Sequence, residues 1–223
     1  MVAAANVPGH ATMARHIFDT AYWYALRQLN LKTSSAVYTM KICSCLLGLA
    51  MAGVSLSCMA DSAPSPDLRV IIIRHGEKPK TGDNLTCQGE NRARELPRVL
   101  YGKFGTPAFA YVPKLGSGSA TKHARMFQTL APMAVRYNLT VNSAFSGDAY
   151  PEVADNVLQK TGSVLMVWNH TNIPGLVKEL GVAAPPRWAD DDFDSIWVLT
   201  YPLGKAVLSF DREGLTPSAA CAQ

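Results

Sequence analysis

The 223-residue sequence contains no run of basic residues interleaved with aromatics, no zinc-type cluster of Cys and His, no internal repeat and no low-complexity tract. Charged residues are also scarce, at 17% against 48% hydrophobic, a composition that buries one substantial core and fits neither a disordered nor a fibrous protein. The formal charge of +4 is local: before residue 60, Arg15, Arg27, Lys32 and Lys41 face only Asp19, and the remainder is close to neutral. Nothing in the charge pattern therefore favours nucleic acid as a partner, and any affinity for phosphate has to come from a local site.

Residues 42–60 carry no charge, follow Lys41, and end in the small residues Ser55, Ser57, Cys58 and Ala60 before Asp61. That is the layout of a secretory signal peptide over 40–60, which makes 1–39 an upstream extension ahead of a start at Met40. A signal anchor is the alternative, since a run of about 18 apolar residues can span a bilayer. A lipoprotein signal ending at Cys58 fits less well, because Ser55 stands where such signals usually carry Leu. Each reading places the later residues outside the cytoplasm, periplasmic or secreted. Cys43, Cys45 and Cys58 belong to the signal segment, so Cys87 and Cys221 are left to form one disulfide or to stay as two free thiols.

Residues 61–67 read as a polar, proline-containing leader, and 68–223 as the folded domain. Leu68–Ile73, interrupted only by Arg69, is an apolar run rich in β-branched residues, of the kind found in a fully buried strand. Short apolar runs recur at Phe109–Val112, Leu139–Val141, Val164–Trp168, Ile196–Tyr201 and Ala206–Phe210. Helical patterns lie between most of them, at Glu90–Phe104, His123–Tyr137, Glu152–Lys160 and Pro174–Leu180. This alternation predicts a three-layer α/β domain with a mainly parallel sheet, helices on both faces, and a closing antiparallel hairpin at one edge. Pro97 and Pro132 should kink or restart the helices that contain them.

Ligands of open parallel sheets bind beyond the carboxyl ends of the strands, where this sequence puts two histidines. His75 follows the first strand, flanked by Arg74 and Gly76, and His170 follows Val164–Trp168. Four segments in order, VIIIRHGEK at 70–78, LTCQGENRA at 85–93, HARMFQT at 123–129 and VLMVWNHTNIP at 164–174, resemble the histidine phosphatase superfamily. The resemblance implies a phosphoglycerate mutase-like fold and hydrolysis of phosphomonoesters through a phosphohistidine on His75. It also implies that Arg74, Arg125 and His170 bind the phosphoryl oxygens, and that neither metal nor other cofactor takes part. The chemistry suits these residue types, because a dianionic phosphate wants cations on its oxygens and a neutral nucleophile. Gly76 is expected to let a ligand approach the backbone closely.

One family feature is missing. In the phytase-like branch the proton donor to the leaving oxygen directly follows the second histidine, where this chain has Thr171 and Asn172. The mutase-like branch draws it from the loop holding Asp148 and Glu152, of which Asp148 has less structural excuse and is the expected acid. The acidic run Asp190, Asp191, Asp192 and Asp194 reads as a solvated loop rather than a metal site. With no large cap insertion between His75 and Arg125, the pocket is expected to be open. The expected substrate is a small-molecule or envelope-linked phosphomonoester, with the membrane involved only through an uncleaved signal segment. A non-catalytic phosphate-binding module of the same fold, or a phosphomutase, is the alternative.

Overall fold

A computed structural model describes residues 63–116 and 121–221. The expectations for residues 1–60, the upstream extension and the signal segment, lie outside the described residues, as do Asp61 and Ser62 of the leader. The rest of the leader closes into a turn, with Leu68 N–H donating to Ser65 O at 3.0 Å, and burial begins at Leu68.

The chain runs β1 (Arg69–Arg74), α1 (Cys87–Phe104), β2 (Phe109–Tyr111), α2 (Ala124–Tyr137), β3 (Val141–Asn142), α3 (Tyr150–Leu158), β4 (Ser163–Trp168), α4 (Ile173–Glu179), β5 (Ser195–Thr200) and β6 (Val207–Arg212). The strands form one six-stranded sheet in the order β3-β2-β4-β1-β5-β6. Pairing is parallel from β3 through β1. β5 runs antiparallel to β1 as well as to β6, so the closing hairpin joins the sheet with one strand reversed.

Between its terminal arginines β1 is apolar, Val70–Ile73, because both of its faces are covered. Val70 and Ile72 pack with Val153 and Val157 of α3 and Leu176 and Val177 of α4. Ile71 and Ile73 pack on the other face with Leu96 and Leu100 of α1 and Leu130 and Met133 of α2. Burying a side chain of this size stabilises the fold by about 1.5–3 kcal/mol, so the two faces of β1 anchor both helical layers to one strand.

α1 begins three residues earlier than the periodicity predicts because Thr86 caps it, its side-chain oxygen accepting from Gly89 N–H at 3.2 Å. Pro97 and Pro132 do not restart their helices: both lie inside unbroken ones. Each proline removes a single backbone donor, and the surrounding turns stay bonded and packed against the sheet and each other. Cys87, the first residue of α1, is joined to Cys221 in a disulfide. Asn91 adds to that anchor, its Nδ2 donating to Ser218 O and Ala220 O, both at 2.8 Å.

Candidate active site

β1 and β4 are parallel neighbours with Arg74 opposite Trp168, and His75 N–H extends the ladder to Trp168 O at 3.1 Å. Their carboxyl ends therefore bring His75 and His170 to one edge of the sheet. Gly76 follows, but its missing side chain makes room for the chain rather than for a ligand. A Cβ there would lie 2.8 Å from Gly89 O, so the expectation of close ligand approach gives way to close packing of the loop on the start of α1. Gly89 is required for the same reason, since a Cβ on it would collide with the Glu77 backbone.

His75 is 1% exposed. Its Nδ1 lies 2.7 Å from Gly76 O, which fixes the N–H on that side and leaves the lone pair on Nε2. Burial pushes the imidazole down to about 4, opposed by the Gly76 bond and reinforced by the charges of Arg74, Arg125 and His170. The ring is accordingly neutral near pH 7, with a free Nε2.

Arg74, also buried, sends Nη1 to Asp190 O at 2.7 Å and Asp192 O at 3.0 Å, and its guanidinium lies 3.7 Å from the centroid of the Phe193 ring. Burial lowers it to about 10 against the pull of Asp190 and Asp192, which leaves it charged at neutral pH. Arg125, in the first turn of α2, donates from Nη1 to Gly82 O at 2.8 Å. His170 meets Asp190 Oδ1 through Nε2 at 3.2 Å. Its pKa lies below the ordinary value, first through burial and then through Arg74, with Asp190 pulling the other way.

Among the described residues, buried side-chain atoms without a hydrogen-bond partner include Arg74 Nε, His75 Nε2, Arg125 Nε and His170 Nδ1. Each of the four residues expected to hold a phosphoryl group thus keeps one buried nitrogen unengaged by the protein. Buried polar atoms are rarely left unpaired. Two guanidinium donors, joined by a third where His170 is protonated, belong to residues whose charges act on His75, a set that suits a tetrahedral oxoanion attacked at its centre.

The rest of the third segment holds the loops in place. Thr129 Oγ1 accepts from Gly76 N–H at 2.9 Å, while Gln128 Oε1 accepts from Leu85 N–H at 3.0 Å and Gln128 Nε2 donates to Asn84 Oδ1 at 2.8 Å.

Asp148 and Glu152 are not brought against His75. Asp148 accepts from Ser146 Oγ at 2.6 Å, and that bond holds its carboxyl below the ordinary range. Its loop nevertheless borders the His170 loop, because Gly147 O accepts from both Trp168 Nε1 and Asn172 Nδ2 at 2.9 Å. Glu152 is exposed in the first turn of α3.

The acidic run is exposed at Asp190 and Asp191, as the sequence suggests, but it also holds the site together. Its backbone carbonyls grip Arg74, Asp190 meets His170, and Asp192 accepts from Trp188 Nε1 on its carbonyl and from Ser195 Oγ on its carboxylate. A guanidinium buried at a strand end needs oxygen acceptors, and these carbonyls provide them. Trp188 and Phe193, aromatics flanking an acidic run, are the signal that could have revealed it. Among the described residues no group of three or more His, Cys, Asp or Glu side chains is arranged to hold a metal ion.

No family profile and no curated protein matches the sequence. Solved structures do match. The protein histidine phosphatase SixA complexed with tungstate superposes with a TM-score of 0.50 at 19% identity, over 65% of this chain and 97% of that one. A mycobacterial glucosyl-3-phosphoglycerate phosphatase with inorganic phosphate gives 0.48 at 14% identity, over 64% and 95%. A phosphoserine phosphatase from Entamoeba histolytica with phosphoserine gives 0.46 at 14%, over 66% and 98%. The chain has the fold of the histidine phosphatase superfamily, the three-layer phosphoglycerate mutase-like α/β arrangement expected from its sequence.

Proposed function

We propose that the protein hydrolyses phosphomonoesters by way of a phosphohistidine on His75. The observation that carries this reading is the set of four unengaged buried nitrogens on Arg74, His75, Arg125 and His170. Likeness of fold to phosphatases is consistent with it but does not by itself bring an activity to this chain.

His75 Nε2 attacks phosphorus, and the bond from phosphorus to the leaving oxygen breaks as the new N–P bond forms. Arg74, Arg125 and protonated His170 bind the three nonbridging oxygens, where charge-assisted hydrogen bonds strengthen as the transition state develops. The leaving oxygen takes a proton from a donor in the 146–149 loop, for which Asp148 is our choice. Water then attacks the phosphohistidine, losing its proton to the same group, and phosphate departs as His75 returns to its neutral form. The donating form is the protonated carboxyl of Asp148, which the Ser146 bond disfavours, so few molecules carry that proton at neutral pH and substrates whose leaving groups depart without one are favoured.

The Cys87–Cys221 disulfide supports a site of action in an oxidising compartment, periplasmic or secreted, as the 40–60 segment suggests. The substrate we propose there is a small-molecule or envelope-linked phosphomonoester. A phosphate-binding module without turnover is the competing reading, favoured by the low pKa and exposure of Asp148. Incubating the full chain with p-nitrophenyl phosphate and a chelator separates the two. Release of p-nitrophenol is expected, whereas phosphate binding without product would establish the binder.

A further inference from the structure

The loop 187–194 touches both Arg74 and His170 through one residue. The main-chain oxygen of Asp190 accepts from Arg74 Nη1 at 2.7 Å. Its carboxylate lies between His170 Nε2, at 3.2 Å from Oδ1, and Arg187 Nη2, which donates to Oδ2 at 2.8 Å. Asp190 is therefore fixed at its backbone and at both carboxylate oxygens.

The other face of the imidazole gives this contact a consequence for chemistry. His170 Nδ1 is buried with no protein partner. A neutral ring that gives its Nε2–H to Asp190 presents a lone pair at Nδ1, which repels a phosphoryl oxygen. A doubly protonated ring satisfies Asp190 with one N–H and donates the other into the pocket. Oxoanion binding at Nδ1 thus requires the cation.

We propose that Asp190 is the positioning residue for His170, its carboxylate favouring the protonated imidazole that a bound oxoanion completes, with Nδ1–H directed at the phosphoryl oxygens. The proposal rests on reading the four residues as a phosphoryl pocket. Burial opposes protonation of His170, as do Arg74 at the end of β1, Lys78 in the loop after it, and any charge on His75; Asp190 opposes all of these. The carboxylate that follows the second histidine in the phytase-like pattern is missing here, and Asp190, from a different loop, takes up a place beside that histidine in a different role.

The test is sulfate affinity of the full chain, measured by calorimetry from about pH 5 to about pH 9, where this tetrahedral dianion does not itself titrate. In the wild type, affinity is expected to fall on the alkaline side as His170 loses its proton. In Asp190→Asn that fall should move to lower pH, leaving affinity unchanged near pH 5 and about fivefold weaker near neutrality, the scale of a partly exposed ion pair. Asp190→Glu should restore the wild-type position. A fall at the wild-type pH in Asp190→Asn, or an equal loss at every pH, would overturn the role of Asp190 while leaving the pocket intact. A wild-type chain with no affinity for sulfate would instead overturn the phosphoryl-pocket reading beneath it.

Discussion

Gly76 N–H donates to Thr129 Oγ1 at 2.9 Å, and the same hydroxyl donates to Arg125 O at 2.8 Å, so one side chain ties the His75 loop to the helix that carries Arg125. Thr129 is 1% exposed, so solvent has little access to these bonds. Thr129→Val keeps the shape but strands the Gly76 N–H, at an expected cost of about 1–3 kcal/mol. Turnover should fall with it, because the loop that orients His75 is loosened, and Thr129→Ser should recover most of both. Urea unfolding and p-nitrophenyl phosphate hydrolysis measure the two effects, and a Val variant as stable as the wild type contradicts the account.

Glu213 provides a test by pH. It shares Arg92 with Glu77, and burial pushes its carboxyl up to about 8 despite Arg92, with Asp194 and Glu77 adding to the rise. The folded chain then holds a proton that the unfolded chain releases near 4.5, so stability should fall as pH climbs between those values. Glu213→Gln removes that loss. Relative to the wild type, the variant should gain stability steadily from about pH 5 to pH 8.5 in denaturant titrations. Parallel curves would mean that Glu213 stays ionised throughout.

The Cys87–Cys221 disulfide spans a sequence separation of 134 and pins the C-terminal segment to the start of α1. Reduction should lower stability by up to about 4–5 kcal/mol on a chain-entropy estimate. Thermal unfolding with and without reductant reads this, alongside thiol counting by mass spectrometry. Two free thiols in exported, oxidised protein would contradict the pairing.

Asp148 and Glu152 are distinguished by leaving group. A general acid contributes about 10²- to 10⁴-fold where the departing oxygen needs a proton, and little where it does not. Asp148→Asn should therefore slow an alkyl phosphate far more than p-nitrophenyl phosphate, while Glu152→Gln slows neither. The reverse pattern would make Glu152 the acid, and equal losses on both esters would remove both carboxylates from proton transfer.

The strands, the helices and the grouping of Arg74, His75, Arg125 and His170 were legible because each leaves a local mark. The interior of β1, Val70–Ile73, is an unbroken apolar run, and the Arg-His-Gly and Arg-x-x-Gln-Thr patterns sit where elements begin or end. The reversal of β5 was not legible, since strand direction is set by partners distant in sequence. The place of Asp190 was hidden for a similar reason: an acidic run looks solvated until the buried Arg74 that needs its carbonyls is seen beside it. Gly76 was legible as necessary, but its cause, the backbone of Gly89, belongs to packing.

The most direct measurement is to capture the phosphorylated protein. The full chain, mixed with a ³²P-labelled phosphomonoester and quenched within a turnover, should carry acid-labile, base-stable phosphate on the peptide containing His75. His75→Ala should carry none and hydrolyse nothing, whereas His170→Ala should retain a trace of activity. Phosphate on another residue, or undiminished turnover in His75→Ala, would contradict the assignment of His75 as the nucleophile.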